Sequence, residues 1–363
     1  MSAIDRSQVE QAIRDYQDPY LQQDLITAKA IKDIRIQGDR ITVEVVLGFP
    51  AEGYRQTLSR ELQSRIEALE GVDTVQVQIS HKIAIHEVQK GLKALSEVRN
   101  IIAVASGKGG VGKSTTAVNL ALALQAEGGR VGILDADIYG PSQPQMLGAS
   151  GKPESRDGKS LEPVVCHGLQ SMSIGYLIEE ETPMIWRGPM VTGALQQLLS
   201  DTHWQNLDYL VIDLPPGTGD IQLTLCQKIP VSGAVIVTTP QDIALLDARK
   251  GLKMFEKVSV PVLGIVENMS IHICSNCGHE EHIFGQGGGQ RMADQYGVAF
   301  LGALPLDIRI REEADGGRPS VALDPQGPIA QRYREIARHT AARLSLQGRG
   351  YGHKFPNIVI QNT

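Results

Sequence analysis

The segment ASGKGGVGKSTT, residues 105–116, constrains this chain more than any other stretch. Gly107, Gly112, Lys113 and Ser114 fit the spacing G-x-x-x-x-G-K-S, and the apolar run NIIAVAS precedes them as a strand precedes a phosphate loop. A glycine-rich loop between a strand and a helix directs successive backbone N–H groups at phosphate oxygens. The sequence therefore predicts a nucleotide-binding α/β domain.

The residue types in this loop match the chemistry of phosphate binding. Lys113 is predicted to reach the β- and γ-phosphates, and the Ser114 hydroxyl to ligate Mg²⁺. The candidate nucleotide-binding residues here are Gly107, Lys108, Gly109, Gly110, Val111, Gly112, Lys113, Ser114 and Thr115. The spacing alone gives Lys108, the second lysine, no role.

The length of the chain indicates more than one domain. A chain of 363 residues, 42% of them hydrophobic, is long for a single core. The predicted units are a small α+β domain (1–80), a linker (81–98), the nucleotide-binding domain (99–346) and a tail (347–363). The tail is glycine-rich and then β-like, so it is either flexible or able to add a strand.

The first unit shows both β and α periodicity. IKDIRIQGDRITVEVVLG alternates on both sides of Gly38-Asp39, which predicts a hairpin, and VDTVQVQIS predicts a further strand. Between them YRQTLSRELQSRIEALEG carries apolar residues at helical spacing, namely Leu58, Leu62, Ile66 and Leu69. We expect a small sheet with helices on one face.

Beyond residue 99, apolar runs alternate with helical stretches: IIAVAS, VGILDAD, YLVIDLPP, GAVIVTTP, VPVLGIVEN and VAFLGALP. Such runs predict a parallel, doubly wound α/β sheet that binds ligands at the carboxyl ends of its strands. Asp213, Asp135 and Asp137 follow strands there, although a lone aspartate is typically a helix cap. We expect Asp213 to hold Mg²⁺, Asp137 to orient an attacking water, and the Gly217 loop to sense a γ-phosphate.

Charge and hydropathy exclude several classes of protein. A formal net charge of −6 and a pI near 5.9 argue against sequence-independent binding to nucleic acid. The polar first residues lack a signal-peptide pattern, and no apolar run approaches the ~20 residues that span a bilayer. We expect a cytoplasmic protein without a membrane or nucleic-acid partner.

Seven motifs together resemble the Mrp/ApbC family of P-loop ATPases, which carry iron–sulfur clusters: KGGVGKST, ILDADIYGPS, MIWRGPM, DYLVIDLPPGTGD, GIVENMS, CSNCGH and PLDIRIREEAD. The resemblance covers residues 98–346 and implies a deviant P-loop fold like that of MinD and ParA. Residues 1–80 resemble a MIP18-like domain. That domain often has a cysteine after its second strand, where this chain reads LGFPAEGYRQ, so we interpret it as a docking module.

The resemblance also implies roles for individual residues. It makes the protein an ATP- and Mg²⁺-dependent ATPase that forms a homodimer. Lys108 would then reach the nucleotide of the other subunit, which couples hydrolysis to dimer closure. Asn268 would contact the adenine base; the alternative is that it only caps a turn.

Cys274 and Cys277 form a C-x-x-C pair whose two thiolates can share one metal centre. A [4Fe–4S] cluster and a tetrahedral zinc site each need four ligands, so the deficit points to a partner. The resemblance implies a cluster bridged by both cysteines of two subunits. The residues also leave open a zinc site completed by His279 and His282, and a redox pair.

The leading hypothesis is an ATP-dependent carrier that binds iron–sulfur clusters and passes them to apoproteins, with these recipients and cluster scaffold proteins as its partners. The alternative is a partition or positioning ATPase of the same fold with a structural zinc site. The remaining cysteines, Cys166 and Cys226, lie on apolar segments and are expected to be buried core thiols.

Overall fold

A computed structural model describes residues 4–89, 91–155, 158–178, 188–274 and 276–348 of the protein. Most of the predicted tail, 349–363, and residues 184–187 of the motif MIWRGPM lie outside the described residues. No helix in the described ranges is long and apolar enough to cross a membrane.

The N-terminal part forms a three-stranded sheet with helices. Its elements are α1 (Arg6–Arg14), β1 (Gln17–Asp18), β2 (Gln23–Asp24), β3 (Ile31–Gln37), β4 (Arg40–Leu47), α2 (Arg55–Glu67) and β5 (Thr74–His81). Strands β3 and β4 form the predicted antiparallel hairpin, and β5 adds to β4 in parallel. Helix α2 buries Leu58, Leu62 and Ile66 completely, as the helical spacing predicts.

The second part begins with the strand that leads into the phosphate loop. Its first half contains β6 (Val98–Ala105), α3 (Lys113–Ala126), β7 (Val131–Asp135), α4 (Gln143–Met146), β8 (Val164–Cys166), β9 (Leu169–Ser173), a 3-10 turn (Ile174–Tyr176), α5 (Gly188–Asp201) and β10 (Leu207–Asp213). Its second half contains α6 (Asp220–Lys228), β11 (Gly233–Thr238), α7 (Asp242–Lys257), β12 (Val262–Glu267), β13 (His272–Ile273), β14 (Glu280–Glu281), α8 (Gly288–Tyr296), β15 (Phe300–Ala303), α9 (Ile308–Asp315), α10 (Ser320–Leu323) and α11 (Pro328–Ser345).

Eight of these strands form one sheet in the order β15-β12-β11-β6-β10-β7-β9-β8. All neighbours are parallel except the edge pair β8–β9. The six strands predicted from apolar runs are all present and parallel. The sequence analysis missed β8 because VVC has only three residues, and β9 because LQSMS mixes apolar and polar residues.

The central strands of the sheet are buried on both faces, so they are apolar over most of their length. In β6, Ile102 and Val104 pack with α3 and α11, whereas Ile101 and Ala103 pack with α5, α6, α7 and α8. Alternate side chains therefore feed two separate cores, as the doubly wound class requires. The strand order brings β6, β10 and β7 side by side, which places their carboxyl ends together.

One apolar cluster runs through both parts and includes residues of the N-terminal sheet, α3 and α11. At the end of α3, the fully buried Glu127 accepts hydrogen bonds from Arg334 Nε at 2.7 Å and Arg338 Nη1 at 2.9 Å. Its second carboxylate oxygen accepts from the Gly53 backbone N–H at 2.9 Å. A buried charge network thus connects the N-terminal part to the helix that begins at the phosphate loop.

The two cysteines that the sequence places in the core differ in burial. Cys226 on α6 is fully buried, as predicted, and burial raises its pKa to about 12. The same expectation is wrong for Cys166, which is only half-buried because it lies on the edge strand β8.

Candidate functional site

The predicted phosphate loop lies between the carboxyl end of β6 and the first turn of α3, as the motif requires. A Cβ atom at Gly107 would lie 2.1 Å from the backbone carbonyl carbon of Asp247, so only glycine fits there. Gly112 has φ +79° and precedes the helix. A Cβ there would lie 2.2 Å from Asn268 Nδ2. Steric crowding therefore requires glycine at both positions of the motif.

Lys113 and Asp213 form a buried ion pair at the base of this loop. Their side chains are 6% and 0% exposed, and Lys113 Nζ donates to Asp213 Oδ1. Lys113 Nζ also lies 3.1 Å from Ser114 Oγ. The three residues predicted separately from two motifs thus meet, with a cation, a hydroxyl and a carboxylate at the N-terminus of α3. The hydroxyl and carboxylate oxygens are the hard ligands that Mg²⁺ prefers.

Gln143 is a part of this site that the sequence reasoning missed. Its Nε2 donates to Asp213 Oδ2 at 2.9 Å and to the Ser114 carbonyl at 3.1 Å, and the residue is 1% exposed. Its amide oxygen has no hydrogen-bond partner among the described residues. The sequence contains only a weak signal, a glutamine after the turn GPS that follows the second strand.

Asp135 organises the loop that carries Gln143. It is fully buried and accepts from the backbone N–H groups of Asp137, Ser142 and Gln143 and from Ser173 Oγ, all at 3.0–3.1 Å. Burial, followed by the nearby Asp213 charge, raises the pKa of the Asp135 carboxyl. Its main task in this geometry is to hold the loop after β7 in place.

The predicted water-orienting residue, Asp137, lies two residues further along and is half-buried. Burial is the largest cause that raises its pKa, which the Lys113 charge opposes. The Gly217 N–H donates to the Ser106 carbonyl at 3.0 Å, so the loop after β10 lies against the start of the phosphate loop. Lys108 is exposed on this loop.

Asn268 lies beneath the phosphate loop. Its Nδ2 donates to the Val111 carbonyl at 2.9 Å, and the residue is 7% exposed. In this structure Asn268 therefore supports the loop backbone, which differs from a turn cap. Its assignment to the adenine base stays a prediction.

The two candidate metal-binding cysteines lie at the tip of a hairpin. Strands β13 and β14 pair antiparallel, the Cys274 N–H donates to the His279 carbonyl at 2.9 Å, and the Gly278 N–H to the Cys274 carbonyl at 2.8 Å. Cys274 is half-buried and Cys277 is exposed. The turn therefore presents its thiols at the surface.

Local hydrogen bonds favour the thiolate form of Cys274. Its pKa is lowered, first by the Asn276 backbone N–H and then by the backbone and side chain of Cys277. A thiolate is the form that binds a metal. His282 is held by the Ser270 carbonyl at 2.8 Å, and no group of three or more His, Cys, Asp or Glu side chains in the described ranges is arranged to hold a metal ion.

The two candidate sites are connected by a short segment. Only five residues separate Asn268, under the phosphate loop, from Cys274. The segment is pinned halfway, because the Ser270 N–H and hydroxyl both donate to the Leu304 carbonyl, at 2.9 and 3.0 Å. The phosphate loop and the cysteine hairpin are therefore joined by a short segment whose midpoint is held by two hydrogen bonds.

Comparison with known proteins identifies the family. Residues 97–341 match the family described as NUBPL iron-transfer P-loop NTPase, within the ParA group. The chain belongs to this family. Residues 6–79 match a second family, described as iron–sulfur cluster assembly protein. Both parts of the predicted resemblance are thereby confirmed.

Individual relatives of the chain support this family assignment. The chain is 52% identical to an iron–sulfur cluster carrier protein of Haemophilus influenzae over 349 residues, 96% of this chain and 94% of the relative. A nucleotide-binding protein from Archaeoglobus fulgidus, solved in complex with ADP, is 40% identical with a TM-score of 0.54. That match covers 62% of this chain and 88% of the other.

The cell-division ATPase MinD of Pyrococcus furiosus, at 22% identity and a TM-score of 0.50, shares the fold; the match covers 66% of this chain and 97% of MinD. The predicted fold class, a MinD/ParA-like P-loop NTPase domain preceded by a small α+β domain, is confirmed. The roles assigned to single residues and the predicted domain boundaries stay predictions.

Proposed function

We propose that the protein binds and hydrolyses ATP at the phosphate loop and carries an iron–sulfur cluster between two copies of itself, which it delivers to apoproteins. The observation that carries this proposal is the exposed Cys274–Cys277 hairpin, joined to the phosphate loop by the short segment from Asn268. The carrier name of the Haemophilus influenzae relative supports the same function.

In the nucleotide half, the backbone N–H groups of residues 109–114 and the ammonium of Lys113 bind the phosphates. Ser114 and Asp213 would hold Mg²⁺, which neutralises charge on the β- and γ-phosphates. Asp137 orients the attacking water, and the Gly217 backbone senses the γ-phosphate. Gln143 keeps the Asp213 carboxylate in position through its 2.9 Å hydrogen bond.

Lys108 acts on the nucleotide of the second subunit in this proposal. It is exposed, as a residue that crosses an interface must be before the subunits meet. Two large side chains next to residues of this site are also exposed: Leu246, at 54%, precedes Asp247, whose backbone lies against Gly107, and Tyr139, at 57%, lies two residues after Asp137. A second copy that covers this face would bury them.

The cluster is cargo rather than a resident cofactor. Cys274 and Cys277 supply two thiolates, and the second copy supplies the other two that a [4Fe–4S] cluster needs. The exposed Cys277 leaves one ligand of each copy open to an incoming acceptor. Recipient thiolates can then replace the carrier's ligands one at a time, with no change in the oxidation state of iron.

The N-terminal unit, which we place at residues 1–80, serves as a docking module for recipient or scaffold proteins. Its loop contacts Glu127, so partners bound there are connected to the end of α3. We place the linker at 81–98, the ATPase domain at 99–346 and the tail at 347–363. The protein works as a cytoplasmic homodimer.

The proposed function predicts direct transfer. Anaerobically reconstituted protein is mixed with an apo-ferredoxin and an excess of an iron chelator, and the ferredoxin spectrum is followed. Direct transfer of the cluster proceeds despite the chelator. If the cluster is instead released and reassembled, the chelator captures the released iron and the ferredoxin receives no cluster. Loss of transfer with the chelator contradicts the carrier role, and salt-dependent DNA or liposome binding without a cluster favours a positioning ATPase.

A further inference from the structure

A cavity of about 510 Å³ opens beside Cys274, and neither the nucleotide site nor the cysteine pair explains it. Its walls come from β13 with Cys274, from the turn before α9, and from the first turns of α9 and α11. The volume is within the range of sites that bind a ligand or a few side chains. The cavity therefore borders Cys274, one of the two proposed cluster ligands of this chain.

Two walls of the cavity, the cysteine hairpin and the turn before α9, are joined by hydrogen bonds. His272 pairs with Leu306 as an isolated parallel bridge, and the Leu306 N–H donates to the Ile271 carbonyl at 2.8 Å. The His272 ring, through Nδ1, lies 3.2 Å from the Leu306 carbonyl. The cysteine hairpin and the turn before α9 are thus held together, so binding here requires little ordering of the protein.

The lining combines exposed apolar groups with an unneutralised cation. Ile308 is 64% exposed and Ile273 is 45% exposed, although burial would favour both. Arg309 is neutralised by Asp307, which accepts from both Nε and Nη2. The exposed Arg332 forms no ion pair with a carboxylate of the described residues. The lining contains two arginines, Arg309 and Arg332, and one aspartate, Asp307.

We propose that this cavity, which we call the Cys274 cavity, docks the recipient apoprotein through an apolar side chain flanked by a carboxylate. The apolar side chain packs on Ile273 and Ile308, and the carboxylate pairs with Arg332. Charge selects this partner, because the lining carries one net positive charge on a chain whose formal net charge is −6. The inference rests on the proposed carrier function.

The test measures recipient binding separately from cluster chemistry. A fluorescein-labelled acidic apo-ferredoxin is titrated with the full-length, cluster-free protein, and anisotropy gives the affinity. Arg332→Glu is expected to weaken binding about tenfold, because attraction at the cavity becomes repulsion. Its matched control is Arg311→Glu on α9, an exposed arginine that does not line the cavity and should leave the affinity unchanged.

A second pair of variants tests the apolar part. Ile308→Gln is expected to weaken binding about tenfold, and Leu323→Gln, which removes a similarly exposed apolar side chain outside the cavity, should not. Both variants of each pair should keep the wild-type cluster content and the wild-type rate of cluster loss to a small chelator. Equal affinities within each pair, or no saturable binding by wild type, would overturn the proposal.

Two further outcomes are distinguishable. If Arg332→Glu abolishes dimers in sedimentation experiments, the cavity belongs to the subunit interface and the docking proposal is wrong. If the protein binds no cluster after reconstitution yet the two arginine variants still differ in ferredoxin affinity, the carrier function fails and the docking site stands.

Discussion

The buried Lys113–Asp213 pair allows a quantitative prediction for the nucleotide site. Lys113→Met keeps the aliphatic stem and removes the ammonium group. Asp213, fully buried, then retains Gln143 Nε2 at 2.9 Å and loses its cation. Removal of one partner from a buried pair costs about 3–5 kcal/mol, and the remaining amide donor places this variant near 3 kcal/mol. The same variant should lose most ATP binding, because the phosphates lose their main cation.

The double variant Lys113→Met, Asp213→Asn separates the interaction energy of the pair from the effects of the two single substitutions. With both charges of this pair removed, neither partner is left as an unpaired buried ion, and we expect about 2 kcal/mol of the lost stability to return. Urea unfolding at pH 7 without nucleotide measures this, through the fluorescence of the tryptophans, one of which is the buried Trp204. The free energies of the wild type, the two single variants and the double variant form a mutant cycle.

A matched control is the exposed pair between Lys250 and Asp247, 2.9 Å apart, whose lysine is 67% exposed. Lys250→Met should cost less than about 1 kcal/mol, because water screens such a pair. If the effects of Lys113→Met and Asp213→Asn add to within about 0.5 kcal/mol, the pair has no coupling and the reasoning is wrong.

Three further predictions concern hydrolysis and the packing of the N-terminal unit. Lys108→Ala should retain nucleotide binding and lose hydrolysis, measured by phosphate release; full hydrolysis by monomers contradicts its role. Asp137→Asn should lower kcat more than it raises KM for ATP, and a change in KM alone refutes water orientation. Burial, then Arg338 and Arg343, lowers the pKa of His339 to about 4, so its contribution to stability is complete above pH 6.5 and is lost as the pH falls towards 4. His339→Phe should remove about 1–3 kcal/mol of that loss of stability between pH 7 and pH 4.5, measured by urea unfolding at both pH values. If the variant loses as much stability as the wild type between these pH values, the prediction is wrong.

The sequence predicts most of the P-loop NTPase fold because its signals are local. Six strands are continuous apolar runs, and the loop before Lys113 has a fixed spacing of glycines. Their placement then follows from the general rule that ligands bind at the carboxyl ends of parallel strands. From this rule alone, Asp213 is predicted to lie near Lys113, and the structure places the two in an ion pair.

The missed features depend on contacts between residues far apart in the chain. Gln143 reaches Asp213 across 70 positions, and no periodicity marks such a contact. Glu127, Arg334 and Arg338 read as ordinary surface charges on two helices, yet they are buried together under the N-terminal unit. Burial of a charge depends on which surfaces meet, and a single sequence does not specify that.

The central claim is that Cys274 and Cys277 hold half the ligands of a shared cluster. Iron and acid-labile sulfide are measured after anaerobic reconstitution of the wild type, Cys274→Ser, Cys277→Ser and the double variant, with Cys226→Ser as a cysteine control outside the hairpin. We predict about four iron and four sulfide per wild-type dimer, and collapse in every hairpin variant while ATP binding survives. Full iron and sulfide content in the double variant would contradict the account.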